Sequence, residues 1–254
     1  MRRYLIILMM PCFVMLFGIC CLAGCEGSRH HLKKVRLNEV AHSIFYAPQY
    51  VAIEKGYFEK EGIKLELTTG FGADKTATAV ISGDADIAFM GPEATIYQFN
   101  QGNADYLINF AQLTQRAGNF VVSREREDSF KWEDLKGKKV IGGRPGGMPE
   151  MVFEYVLKKH GMNPQKDINL VQNIDFANTS GAFVSGEADY TVEFEPAATL
   201  IEEQGAGYVV ASVGKESGYV PYTAYSVKKS YLETHKELLE AFTRAIEKGQ
   251  EYVN

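Results

Sequence analysis

The chain reads as an α/β protein of two similarly built lobes with a ligand cleft between them. From Val35 onward, strand-like and helix-like segments alternate, which is the pattern of helices layered on a largely parallel sheet. Residues 79–102 also align without gaps on residues 182–205, an offset of 103. Ser82-Gly83-Asp84-Ala85-Asp86 faces Ser185-Gly186-Glu187-Ala188-Asp189, and both units end in Gln-Gly. Finally, the chain continues past the second unit with segments that return to the first. Two crossing segments make a hinge, and the cleft between hinged lobes is the natural ligand site.

Val35 to Val40 predicts the first strand. Pro48 then opens a helix that Gly56 closes, with proline in the first turn and glycine past the end. Ile63 to Thr68 reads as a strand and Asp74 to Ser82 as a helix stopped by Gly83. Ala85 to Met90 is a short buried strand, followed by a helix from Glu93 to Gln101 with Gly102 after it. Tyr106 to Leu113 and Gly118 to Ser123 read as strands, and the polar stretch from Arg124 to Asp134 as a surface excursion. The grammar then repeats. Lys139 to Gly142 is a strand, Pro149 opens a helix to His160, and Ile168 to Gln172 is a strand. A helix closes at Gly186, Ala188 to Glu193 is a strand, and Pro196 opens a helix ending near Gly205. Tyr208 to Val213 and Tyr222 to Val227 look like strands returning toward the first lobe. From Lys236 to Val253, apolar residues at Leu238, Leu239, Phe242, Ile246 and Tyr252 fit a helix with one buried face.

Upstream of this body lie Arg2 and Arg3, an apolar run from Tyr4 to Leu22, and Leu22-Ala23-Gly24-Cys25. This is the shape of a secretory signal. A cysteine just after two small residues resembles the bacterial lipoprotein cleavage site, which makes Cys25 the lipidated first residue of the mature chain. An uncleaved anchor is the other reading, since about 19 apolar residues can span a bilayer. Both place the folded part outside the cytoplasm, tied to the cell membrane. The four cysteines stand at 12, 20, 21 and 25, so the 229 residues after Cys25 form no disulfide. The expected organisation is a signal peptide over 1–24 and a lipidated cysteine with tether over 25–34. Residues 35–117 plus 214–254 then form the first lobe and 118–213 the second. The tether can reach about 30 Å at ~3.3–3.6 Å per residue.

Without Arg2 and Arg3 the chain carries 25 basic against 32 acidic residues, a formal charge of −7. That balance argues against a nucleic-acid partner. Enzyme signatures are missing too. The cluster Gly142-Gly143-Arg144-Pro145-Gly146-Gly147 lacks the register of a dinucleotide loop and the Lys-Ser/Thr of a phosphate loop. There is no Gly-x-Ser-x-Gly and no His-Glu-x-x-His. Histidines 30, 31, 42, 160 and 235 show no metal spacing. The sequence predicts a non-enzyme with no cofactor and no metal site.

The run Ser43-Ile44-Phe45-Tyr46-Ala47-Pro48-Gln49-Tyr50-Val51-Ala52-Ile53-Glu54-Lys55-Gly56-Tyr57-Phe58 resembles the first-helix motif of the substrate-binding proteins of nitrate, sulfonate, taurine and thiamine-precursor importers, the SsuA and NMT1/THI5-like group. Glu61-Gly62-Ile63-Lys64-Leu65, Gly83-Asp84-Ala85-Asp86-Ile87-Ala88, Asp134-Leu135-Lys136-Gly137-Lys138-Lys139-Val140 and Glu195-Pro196 are similar to the family's later motifs. The resemblance covers roughly residues 35–250. It implies the type II periplasmic-binding-protein fold and a monomer. The implied role is to hand one small solute to an ABC permease with its cytoplasmic ATPase. It also implies further helices beyond the position of Asn254. A pyrimidine-forming branch of the family resembles a cysteine-cluster enzyme, and a domain whose one cysteine is lipidated lacks that chemistry.

Ligands of open α/β lobes meet the loops at the carboxyl ends of strands, and that rule selects the candidate site. Ser43, Phe45 and Tyr46 follow the first strand, where the rings either stack on a flat ligand or pack the lobe. Gly70, Phe71 and Gly72 follow the second strand, as a backbone approach or a plain turn. Gly91 and Glu93 precede a helix, with Glu93 serving the helix dipole or accepting from a ligand amine. Arg144, Gly146 and Gly147 offer a guanidinium and helix-start N–H groups suited to an anion, unless the arginine is simply solvated. Glu193 and Glu195 end a strand, and Tyr222 lies on the return. Arg144 favours a sulfonate-like or carboxylate solute. The glutamates favour a nitrogenous one, such as a thiamine-pyrimidine precursor. The sequence leaves that choice open. It also leaves open a solute sensor that docks on a signalling receptor, or an adhesive lipoprotein that closes on no solute.

Overall fold

The computed structural model describes residues 32–254, and two five-stranded mixed sheets organise them. Strands β1 (Lys33–Glu39), β2 (Ile63–Thr69), β3 (Ile87–Met90) and β4 (Leu107–Thr114) belong to the first sheet. Strands β5 (Asn119–Ser123), β6 (Lys139–Ile141), β7 (Asn169–Val171), β8 (Tyr190–Phe194) and β9 (Tyr208–Ser212) form the second. Strand β10 (Thr223–Lys228) returns to the first sheet. The orders are β2-β1-β3-β10-β4 and β7-β6-β8-β5-β9, the same plan twice. In each, the first three strands are parallel and the last two pairings antiparallel.

Helices α1 (Ala47–Glu54), α2 (Tyr57–Lys60), α3 (Ala73–Ser82) and α4 (Glu93–Asn100) pack with the first sheet. Helices α5 (Met148–Lys159), α6 (Thr179–Val184), α7 (Ala197–Glu203) and α8 (Val213–Ser217) pack with the second. The last two, α9 (Lys229–Thr234) and α10 (Lys236–Val253), close the first half. Pro48 lies in the first turn of α1, and Gly56 takes the left-handed conformation between α1 and α2 with φ 64°. The apolar face of α10 inserts Phe242 against Phe58, Phe110 and Tyr225, with ring centroids 5.1, 5.9 and 5.0 Å apart. Tyr225 in turn stacks on Phe89 at 4.4 Å. The second core gathers Val140, Phe153, Val156 and Leu157 around Trp132. Fully burying one such side chain stabilises by about 1.5–3 kcal/mol, so each half has an apolar core of its own.

The duplicated segments are also duplicated in space. Asp86 accepts from the N–H of Arg36 at 2.8 Å, and its own N–H donates to the Arg36 carbonyl at 2.9 Å. Asp189 holds Lys139 in the same two bonds, at 2.8 and 2.9 Å. Two crossing segments join the halves, 115–118 and 213–222, and they bond to each other. Val220 N–H donates to Gln115 O between them, and Tyr222 N–H to Thr114 O at the end of β4, both at 3.0 Å.

Three expectations need correction. Strand β9 does not return to the first sheet. It pairs with β5, and only β10 crosses back. The stretch 124–134 is not wholly a surface excursion, because Trp132 is buried in a short 3-10 turn that anchors the second core. The tether stops short of Lys34, because β1 begins at Lys33 and pairs there with Ile63. The signal run, Cys25 and the tether through residue 31 lie outside the described residues. Among the described residues no helix is long and apolar enough to cross a membrane.

Candidate functional site

Groups at the carboxyl ends of both parallel strand sets meet, as Phe45 after β1 packs on Phe194 at the end of β8, and a buried acid shapes the first end. Val35, Leu37 and Glu39 share one face of β1, so Glu39 sits in core register and is fully buried. Its oxygens accept from Gln49 Nε2 (2.9 Å), Tyr50 Oη (2.9 Å) and Thr69 Oγ1 (3.1 Å), and lie 2.9 Å from His42 Nδ1. Tyr50 Oη accepts from Ser43 N–H at 3.1 Å, and Ser43 Oγ caps Phe45 N–H at 3.3 Å. The network holds the turn that presents Phe45 and Tyr46.

The helix starts of α4 and α5 meet across the cleft. Glu93 Oε1 accepts from Met148 N–H at 3.0 Å, joining the two halves through a buried bond. One turn on, Tyr97 Oη donates to Gly146 O at 3.1 Å. Gly146 N–H donates to Glu150 Oε2 at 3.2 Å, and Gln172 Nε2 holds the other oxygen at 2.9 Å. Burial, with Glu154 alongside, pushes the Glu150 carboxyl up to about 7. Two carboxylates thus occupy N–H groups that the sequence offered to an anion. Arg144 stands half exposed at the rim, 3.6 Å from Asp74 beside Gly72.

Aromatic rings line the interior between these points. Phe45 packs on Phe194 at 5.4 Å and edge-on to Tyr222 at 5.8 Å, while Phe176 closes on Phe194 at 5.6 Å. Gly118, at the crossing, lies flat against the Phe45 ring, where any Cβ would collide. Several buried polar atoms have no hydrogen-bond partner: Glu93 Oε2, Tyr222 Oη and both Nδ2 and Oδ1 of Asn119, and, beside Gly70, Asn38 Oδ1 and Thr76 Oγ1. The first three residues belong to the cleft-facing elements and are 4%, 3% and 0% exposed. Burial raises the Glu93 carboxyl to about 7. Burial, then Tyr46 and Glu93 nearby, drives the Tyr222 phenol well above its ordinary value.

The remaining candidates are dispersed. Tyr46 is buried edge-on against Phe89 at 4.5 Å, a packing role. Phe71 is 69% exposed at φ 57°, on the outer lip. Gly70 lets the chain pass Asn38 and Thr76, and Gly91 lets the Glu93 carboxylate fold back. Gly147 precedes α5 as its cap residue. Glu193 is buried in the second half, accepting from Thr191 Oγ1 (2.7 Å) and Thr179 Oγ1 (3.0 Å), and burial raises it to about 7. Glu195 accepts from Thr199 N–H at 3.1 Å and caps α7. It also borders an apolar hollow of about 380 Å³ with Ile44, Phe45, Pro48 and Gly118. The cleft therefore brings together Phe45, Glu93, Gly146 and Tyr222, and leaves Phe71, Arg144 and Glu195 at its margins. Sequence reasoning missed Glu39, Tyr97, Asn119 and Glu150, and placed Phe194 only in the strand end it shares with Glu193 and Glu195. For Glu39 and Asn119 a signal existed, a polar residue in the apolar register of a buried strand.

Among the described residues, no three His, Cys, Asp or Glu side chains gather as a metal site. The NMT1/THI5-like family model matches residues 44–254. YtlA of Bacillus subtilis (strain 168), a candidate binding protein, is 50% identical over 242 residues, 95% of this chain and 72% of YtlA. Among solved structures, the aliphatic sulphonate binding protein SsuA of Escherichia coli superposes with a TM-score of 0.70. It is 17% identical, over 85% of this chain and 72% of SsuA. The nitrate-binding protein NrtA of Synechocystis PCC 6803 gives 0.68 at 19% identity, over 87% and 62% of the two chains. These likenesses establish the periplasmic-binding-protein fold. Matched by the family model over most of its length and sharing half its residues with YtlA, this chain belongs to the NMT1/THI5-like family of binding proteins.

Proposed function

We propose that the chain is a solute-binding protein, lipid-anchored through Cys25 on the extracytoplasmic face of the cell membrane. It acts as a monomer and delivers one small solute to an ABC permease with its cytoplasmic ATPase. The two halves, one built on the first sheet and one on the second, close on that solute as two bodies, without chemical change to it. The observation that carries this reading is the bond from Met148 N–H to Glu93 across a cleft whose interior is aromatic and acidic.

The same interior favours a planar, nitrogen-bearing solute over a sulfonate or nitrate. An anion at the α5 start would have to displace Glu93 and Glu150 from Met148 and Gly146, and Arg144 lies outside at the rim. A ring bearing N–H donors meets acceptors and π-faces. A thermal-shift series on the full chain in detergent tests this with benzamide, 2-aminopyridine, taurine, methanesulfonate and nitrate. A ligand at 100 times its Kd adds about 2.7 kcal/mol to the native state. A shift with the nitrogen-bearing compounds supports the reading. Response to the anions alone, lost in R144A, overturns the solute class. Silence to every compound overturns a cleft for either class. Separately, C25A should free the protein from membranes, and unchanged retention overturns the anchor.

A further inference from the structure

We infer that Asn119 is the specificity-determining residue of the cleft. Its side-chain amide is addressed, with Glu93 Oε2 and Tyr222 Oη, to a solute edge that carries a hydrogen-bond donor and acceptor side by side. This rests on reading the cleft as a solute site. Asn119 is the first residue of β5, immediately after the crossing, and is paired in register with Phe194. Its neighbour Gly118 lies against Phe45, and Phe45 and Phe194 both pack on Tyr222. The amide therefore stands among the aromatic walls.

Asn119 is wholly buried, yet neither end of its amide is bonded. Gln49 shows what a structural amide does in the same protein. Equally buried, it donates to Glu39 at 2.9 Å and accepts from Tyr225 at 3.0 Å. An unpaired buried polar group costs about 1–3 kcal/mol, and an apolar residue of the same shape avoids that cost. Val121, on the same face of β5, is such a residue. A buried amide left open is explained by a partner that arrives from outside.

The chemistry of the three groups defines that partner. An asparagine amide presents NH₂ and C=O side by side, the edge with which this residue pairs bidentately with adenine. Its complements are a carboxamide, a lactam, or an amino group beside a ring nitrogen. Glu93 Oε2 adds a second hydrogen-bonding oxygen and Tyr222 Oη a donor. A sulfonate or nitrate has no donor, and would leave Asn119 Oδ1 unpaired. A site built to hydrogen-bond its ligand rejects an analogue that cannot return the bonds.

Calorimetry on the full chain in detergent tests this with benzamide and methyl benzoate, which share a ring and a carbonyl but differ in the N–H donors. Wild type should prefer benzamide at least tenfold. N119V, close in volume and without polar atoms, should reduce that preference below threefold while its ligand-free Tm stays level or rises. A preference unchanged in N119V overturns the inference. So does a ligand-free Tm that falls by several degrees in N119V, the mark of an amide held by a structural partner or an internal water. Equal binding of the two probes by wild type also overturns it, while leaving solute binding intact. Silence to both, together with silence in the thermal-shift series, removes the solute cleft itself.

Discussion

The two halves of the molecule share a wiring plan and diverge where they face each other. Positions 103 residues apart can be compared directly. Asp86 and Asp189 make the same pair of backbone bonds to Arg36 and Lys139. At the cleft ends of the same elements the residues differ. Glu39 in the first half answers to Gly142 in the second, Glu93 to Pro196, and Gly91 to Phe194. The repeated residues hold each sheet together, and the unmatched ones stand at the ends of the elements where the halves face each other. A second contrast lies within the first half. Glu39 has four polar partners, whereas Glu93 pairs one oxygen with Met148 and leaves the other open. Complete pairing fits a structural acid, and the open oxygen of Glu93 fits the solute site proposed above.

If that contrast holds, E39L has the largest effect. It strands Gln49, Tyr50 and Thr69 without their acceptor, and should cost about 3 kcal/mol or more in urea denaturation. A loss under about 1 kcal/mol would erase the distinction between the two acids.

The next effect is a slope with pH. Glu93 and Glu193 are both raised to about 7 by burial, so the native state keeps protons that the unfolded chain has released. Their contribution to stability is present in full below about pH 4.5 and is lost as pH rises toward 7. For each group this amounts to about 3 kcal/mol. E93Q and E193Q should each flatten part of this decline when urea midpoints at pH 5 and pH 7.5 are compared. A wild-type stability that rises across this range would contradict both assignments.

The duplicated clamp gives a smaller, graded effect. Asp86 also holds the Arg36 guanidinium, through Nη2 at 2.6 Å and Nε at 3.2 Å, and Asp189 has no such side-chain partner. D86A should therefore cost about 2 kcal/mol and D189A about 1 kcal/mol. Equal losses would mean that the arginine adds nothing. Smallest of all, Y97F removes one half-exposed bond to Gly146 O and should change stability by about 0.5 kcal/mol. Its effect belongs to closure, and scattering should report a larger radius of gyration if the bond helps hold the halves together.

Strand and helix order was legible because proline and glycine punctuate this chain where its periodicity changes. The repeat was legible because Ser-Gly-acid-Ala-Asp recurs with the same helix–turn–strand task. The pairing of β9 was less so, since an apolar run such as Tyr208–Ser212 suits either sheet and only the register with β5 decides. The α5 start read as an anion site for a physical reason. A glycine-rich loop before a helix advertises free N–H groups, and the carboxylates that fill them come from four and 55 residues away. Asn119 was overlooked because one polar residue in a short strand looks like an edge. Its burial and its lack of partners emerge only when Phe45 and Phe194 are brought around it.

The most direct measurement is a crystal structure of the chain with benzamide bound. The carboxamide should make bidentate contact with Asn119, within about 3.2 Å of Glu93 Oε2 or Tyr222 Oη, with its ring against Phe45 or Phe194. A ligand seated instead on Arg144 and the 144–147 loop, with the Asn119 amide still unpaired, would contradict it.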